Sequence, residues 1–186
     1  PEACLFCKEN LLNLAIARLP DRFERVLWID SDVILLDHEY ADKLSAALDR
    51  YDVVQGFAKL QYLGKNGVPE TSWRSSLMLM NSRDGTHIAD ATNWKACYPG
   101  LAWATTRELL TKCGGIYDRV ITGGGDNAWA IGVLGDFPRH LANRWSDLLC
   151  EDIRQWAAGL TPHVRSVGYI ESNGVHLYHG NLNNRQ

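Results

Sequence analysis

The triplet Asp30-Ser31-Asp32 closes the apolar run Val26-Leu27-Trp28-Ile29. Two residues apart in extended chain, its carboxylates point to one side and can share a hard cation. An Asp-rich turn after a strand is the structural alternative. Three further groups could join such a site: Asp126, preceded by Gly123-Gly124-Gly125, and His176 and His179 near the end of the chain. Carboxylates with an imidazole suit Mn²⁺, which accepts oxygen and nitrogen ligands, better than Mg²⁺. The two histidines lie three apart across a strand end, so they need not face the same way. Asp126 opens a helix, where a carboxylate caps free N–H groups or serves as a general base toward a hydroxyl.

The elements that must position these groups follow from hydrophobic spacing. Leu11, Leu12, Ala15, Ile16 and Leu19 give a helix over Lys8 to Leu19, stopped by Pro20. Val26 to Ile29 is expected as a strand buried on both faces, in the middle of a parallel sheet, with ligands bound beyond its carboxyl end. Asp37 reads as the N-cap of a second helix bearing Tyr40, Leu44, Ala47, Leu48 and Tyr51, and Asp52 to Phe57 is the next strand. The alternation of helix and strand argues for a parallel α/β sheet. From Ala58 to Ala96 no period holds; Gly64, Gly67 and Pro69 punctuate an excursion expected to be irregular, either covering or shaping a site or forming an Ω-loop or partly mobile insert. A short strand around Trp103 and a helix from Thr106 to Cys113, closed by Gly114-Gly115, come next. Helices are expected from Ala128 to about Leu134 and from Trp145 to Ala157. Val164 to Ile170 and Val175 to Tyr178 are expected to form a hairpin around Ser172-Asn173-Gly174.

The chain is 186 residues long, enough for one domain, 1–186, with a sizeable core. A net charge of -3 supplies no basic field for nucleic acid, so a phosphate-bearing substrate needs local help such as a metal. No run approaches the length of a transmembrane helix and no leader opens the chain. Five cysteines, at positions 4, 7, 97, 113 and 150, make an odd number without regular spacing, which suggests reduced thiols and a cytoplasmic setting. Cys4 and Cys7 stand in a CxxC spacing that no second pair accompanies. The triple glycine matches neither GxGxxG nor a P-loop.

In this order, Asp30-Ser31-Asp32, Gly114-Gly115-Ile116-Tyr117-Asp118, Gly123-Gly124-Gly125-Asp126-Asn127 and His179-Gly180 resemble the nucleotide-sugar glycosyltransferases of GT-A fold. The likeness is closest to the inverting family-2-like enzymes and their galactosyl- and N-acetylgalactosaminyl-transferase relatives, and it runs from Lys8 onward. It implies an α/β, Rossmann-like fold with a mixed central sheet flanked by helices. By the same resemblance Asp30 and Asp32 hold Mn²⁺ or Mg²⁺ against the diphosphate of a donor, a UDP-sugar first among them. His179, or else His176, completes the metal site. Lys8, Asn13, Ser31, Pro99, Gly100 and Trp103 face the donor. Asp126 matches the carboxylate that acts as catalytic base, and Gly124, Gly125 and Asn127 adjoin a glycan or glycoconjugate acceptor. Trp73, Trp94 and Trp103 are candidates for stacking on sugar faces.

Two departures stand out: Thr122-Gly123 where relatives often have Trp-Gly, and Asp126 where many have Glu. Relatives also begin with a β-α unit that grips the nucleotide base, which implies that this chain lacks its first such unit. Two rival readings remain. One is a phosphohydrolase of haloacid-dehalogenase type, with Asp30 as nucleophile, although Ile34 and His140 stand where its pattern expects other residues. The other is a non-catalytic glycan-binding domain of the same fold.

Overall fold

A computed structural model describes residues 7–84, 97–121, 123–135 and 144–180. Its elements are α1 (Lys8–Arg18), β1 (Arg25–Ile29), β2 (Val33–Leu35), α2 (Tyr40–Leu48), β3 (Val53–Gln55), β4 (Lys59–Leu63), β5 (Pro69–Ser76), α3 (Leu77–Asp84), β6 (Cys97–Tyr98), β7 (Ala102–Thr106), α4 (Arg107–Lys112), α5 (Gly125–Leu134), α6 (Asp147–Leu160), a 3₁₀ turn (Thr161–His163), β8 (Val167–Tyr169) and β9 (Asn173–His176). Among these residues one sheet runs β1-β7-β3-β8 and a second runs β2-β9-β4-β5-β6. Both are mixed: β3 pairs parallel with β8 but antiparallel with β7. The chain is thus a mixed α/β protein, and the all-parallel sheet expected from the alternation is not formed.

The first sheet has apolar layers on both faces. Along β3, Val53 packs into a large core that includes Trp103, Trp129, Ile131 and Ile153, while Val54 turns to the opposite side against Leu44, Leu48 and Ala104. That alternation is the period of a strand with both faces covered. Gln55, fully buried between them, is satisfied by donating to the Tyr98 carbonyl and accepting from the Met78 N–H. A smaller cluster of Phe57, Leu60, Leu101 and Ala102 provides a further apolar contact zone.

Further expectations need correction. β1 pairs antiparallel with β7 and ends its sheet among the described residues; Val26 and Trp28 are buried, but Ile29 is 38% exposed. Its apolar run puts Val26 and Trp28 on the large core and Leu27 half-buried against the opposite clusters at an antiparallel edge, not at the centre of a parallel sheet. The stretch after Ala58 is ordered: β4 and β5 pair antiparallel, and Leu77, Met78 and Leu79 are the buried start of α3. β5 lies largely open to solvent, so its sequence carries no apolar alternation to reveal it. The hairpin at Ser172-Asn173-Gly174 does not exist, because β8 and β9 belong to different sheets and Asn173 and Gly174 lie inside β9. A Cβ on Gly174 would stand 2.8 Å from the Ile34 carbonyl oxygen, so this glycine permits close strand approach rather than a turn. Finally, the helix expected from Ala128 begins at Gly125, which places Asp126 in its first turn.

The helix expected from Trp145 starts at Asp147 with Ser146 as its N-cap, and it runs through Gly159 to Leu160. The second helix follows Glu39, while Asp37 accepts a hydrogen bond from the Glu39 N–H at 3.0 Å in the preceding turn. No described helix is long and apolar enough to cross a membrane. Cys7, Cys97, Cys113 and Cys150 form no disulfide among the described residues. Cys4, Trp94, Thr122 and His140 lie outside those residues.

Candidate metal centre and its cavity

Short loops and strand ends from both sheets meet around one cavity of about 680 Å³. The Asp30–Asp32 turn leaves β1 and is fixed by two backbone bonds: the Asp30 N–H donates to the Leu101 carbonyl, and the Leu177 N–H donates to the Asp32 carbonyl, each at 2.8 Å. Leu101 holds φ at +79°, a costly value for a branched side chain. The Leu101 carbonyl that accepts from Asp30 thus belongs to a strained residue on the cavity wall.

Asp32, His176 and His179 converge there. One ligand atom from each lies within 4.8 Å of the other two. The Asp32 carboxylate is 3.5 Å from His176 Nε2 and 3.3 Å from His179 Nε2. Ligand atoms about 2.1 Å from a shared ion and about 110° apart stand about 3.4 Å from each other, so the spacing fits a first-row divalent cation. His176 is buried and oriented on both sides. Its Nδ1 lies 3.0 Å from the Leu177 carbonyl, an orientation that turns Nε2 toward Asp32. Its ring stacks on Tyr62 at 4.5 Å. The β9–β4 register places His176 directly beside Tyr62. Two nitrogens and one carboxylate suit Mn²⁺, Fe²⁺ or Zn²⁺ better than Mg²⁺.

Asp30 lines the same cavity but stands outside this group. Lys8 Nζ donates to it at 3.2 Å and to Asp126 at 3.3 Å, which ties α1 to the β1 exit and to the start of α5. Burial would lower the Lys8 pKa, but the charges of Asp126 and Asp30, with Glu9 adding to them, outweigh it and raise it. Burial raises the Asp30 carboxyl above its ordinary value; Lys8 opposes that shift, and Asp126 and Asp32 add to it. Burial is also the main reason that Glu9 is raised. Trp28 and Trp129 meet edge to face with centroids 4.9 Å apart, and so couple the strand that carries Asp30 to the helix that carries Asp126.

Comparison of the chain with protein-family models, curated proteins and solved structures finds no match. The site therefore rests on its own geometry.

Pro99, Gly100, Gly124 and Asn127 line the cavity with Asp126. Gly100 packs directly against the Asp126 carboxyl: a Cβ there would lie 2.6 Å from Asp126 Cγ. Gly124 adopts φ +106° as the N-cap of α5. Gly125 is buried, and a Cβ on it would collide with Glu9. The remaining expected donor contacts fall elsewhere. Trp103 is 1% exposed in the core, and its indole N–H donates to the Pro99 carbonyl at 2.7 Å, supporting Pro99-Gly100 from within. Asn13 accepts from the Ile116 N–H and donates to the Ile116 carbonyl, clamping the Gly115 turn. Ser31 is exposed and is not among the residues of the cavity wall.

Arg74, Tyr62 and Tyr98 also form the wall and were not foreseen. The Arg74 guanidinium lies 5.4 Å and 5.7 Å from the two ring centroids, which holds a cation inside the cavity mouth. The β4–β9 register sets Tyr62 beside His176, and the pairings of β5 with β4 and β6 bring Arg74 and Tyr98 to it; the sequence around Arg74 carries no sign of this.

Proposed function

We propose that the chain is the catalytic part of an inverting glycosyltransferase of GT-A fold, moving a sugar from a nucleotide-diphosphate donor, a UDP-sugar first among them, to a hydroxyl of a glycan acceptor. The observation that carries this reading is one cavity that joins Asp32, His176 and His179 to Asp126 and Arg74. These residues come from segments spread along most of the chain, and carboxylates, imidazoles and a guanidinium are what a metal-bridged diphosphate requires.

Asp32, His176 and His179 would hold the metal, which when bound neutralises charge on the departing diphosphate. Arg74, whose guanidinium lies over the Tyr62 ring that stacks on His176, offers a second positive charge. Asp126 accepts the proton of the acceptor hydroxyl as its oxygen attacks the anomeric carbon. Lys8 orients Asp126 and Asp30 together, and Gly100 leaves room for the Asp126 carboxylate.

The test is UDP release from a panel of UDP-sugars with Mn²⁺. Turnover is expected to vanish when Asp30→Ala and Asp32→Ala are combined, and to fall steeply in Asp126→Asn with donor affinity kept. Turnover that survives the double substitution sinks the mechanism. Phosphate release from simple phosphomonoesters would favour the phosphohydrolase, and glycan binding without turnover the non-catalytic domain.

A further inference from the structure

Glu9 is a buried carboxylate to which the proposed chemistry gives no task. It is 7% exposed in the first turn of α1, and a charged group is rarely buried that far unless a contact holds it there. Burial raises its pKa, while its own backbone N–H and Lys8 oppose the rise. Neither Glu9 nor Lys8 is among the residues of the metal-side cavity wall, so both act from behind it.

Glu9 meets α5 at the residue before Asp126. Its side chain lies over the Cα of Gly125 so closely that a Cβ there would come within 2.7 Å of Glu9 Cγ and nearer still to the carboxyl group. Only a residue without a side chain admits that approach. Consecutive Cα atoms are about 3.8 Å apart, so Glu9 packs one peptide away from the backbone that carries Asp126. The N-cap of α5 is Gly124, which has no side chain to offer. Glu9 thus brings a negative group from α1 to a helix end whose first N–H groups lack intrahelical partners.

Lys8 closes the arrangement from the other side. Its ammonium stands 3.8 Å from Glu9, 3.2 Å from Asp30 and 3.3 Å from Asp126. Neighbours on a helix point about 100° apart, so the pair holds the start of α5 at two places: Lys8 at the Asp126 side chain and Glu9 at the Gly125 backbone. A carboxylate that only filled space could give way to an apolar side chain at lower cost. Here it meets both the cation that grips Asp126 and the backbone next to it. We infer that Glu9 is a positioning residue for Asp126, fixing the first turn of α5 so that the Asp126 carboxylate stays aimed into the cavity. The inference rests on the reading of Asp126 as the base and extends it to a residue behind the cavity wall.

The experiment compares Glu9→Ala with the parent, in the full chain, by UDP release, Mn²⁺ titration, thermal melting and the three-bond ¹³C couplings that report χ1 of Asp126. The kcat is expected to fall about tenfold or more, with KM for the UDP-sugar and Mn²⁺ affinity within about twofold of the parent. The Asp126 couplings are expected to move toward rotamer averaging, while those of Asp52, held by the Arg165 and Ser166 N–H groups, stay in place. If Glu9→Ala fails to fold, Glu9→Gln keeps the shape, drops the charge and carries the same measurements, with a fall in kcat of about threefold or more. A lower melting temperature with kcat and the Asp126 couplings unchanged overturns the inference, as does a fall in kcat matched by loss of Mn²⁺ affinity. A parent that releases no UDP overturns the transferase reading instead. The Asp126 couplings then judge Glu9 by themselves: moved, they support its hold on Asp126, and unmoved, they overturn it.

Discussion

Gly100→Ala is a small change aimed at one atom group. The new Cβ would lie 2.6 Å from Asp126 Cγ and 3.1 Å from Asp126 Cβ, where ordinary contact begins at 3.4 Å. The carboxyl carbon must therefore retreat by about 0.8 Å, through a shift of χ1 or of the first turn of α5. A move of that size stretches the 3.3 Å contact with Lys8 and, on the mechanism proposed above, takes the carboxylate off the line of the acceptor hydroxyl. Misplacement on the order of 1 Å costs about 100-fold in rate, or about 2.7 kcal/mol of activation free energy. Overpacking adds about 1–3 kcal/mol of destabilisation, which leaves a folded protein. The assay measures kcat for UDP release alongside Mn²⁺ affinity and thermal melting. Turnover should fall about 100-fold with Mn²⁺ affinity unchanged, because the atoms nearest the new methyl all belong to Asp126 and not to the metal ligands. Turnover within twofold of the parent, or a matching loss of Mn²⁺ affinity, would refute the placement of Asp126.

Other substitutions test the supports of the site. Trp129→Ala removes a ring that is 1% exposed and packed on Trp28, and urea unfolding should show a loss of about 3–5 kcal/mol. Gly174→Ala pushes β9 off the Ile34 carbonyl and should cost about 1–3 kcal/mol in the same measurement. It should also loosen metal binding through His176, and intact affinity would show that the β2–β9 approach does not set the ligand geometry. Burial raises Glu9 above its ordinary 4.5, so the folded state binds that proton more tightly than the unfolded chain. Its contribution falls as pH rises from about 4.5 through the raised value and is level above it. Melting curves in EDTA should show that decline, with a smaller one in Glu9→Gln; equal slopes would show that Glu9 does not carry it.

What the sequence made legible was local. The α1 helix could be read from the spacing of Leu12 and Ile16, both of which pack on the core, and the acids after β1 from the apolar run that ends there. Asp126 near a helix start followed from the apolar helix read after it, although that helix begins at Gly125 rather than Ala128. The partners across the chain were not legible. Lys8 and Asp126 are 118 positions apart, and nothing near either one announces the other. Arg74 was missed because β5 is open to solvent along most of its length, so it shows no hydrophobic period. Asn173-Gly174 carried a true turn signal, but the need for a side-chain-free strand against Ile34 outweighed it.

The most direct measurement is Mn²⁺ titration with UDP present, followed by electron paramagnetic resonance, on the parent and on Asp32→Ala, His176→Ala, His179→Ala and Trp73→Ala. One tightly bound ion is expected in the parent and in Trp73→Ala, with affinity lost in each of the other three. Mn²⁺ bound equally well without Asp32 and His176 would contradict the metal centre, and with it the reading of this cavity as the place of glycosyl transfer.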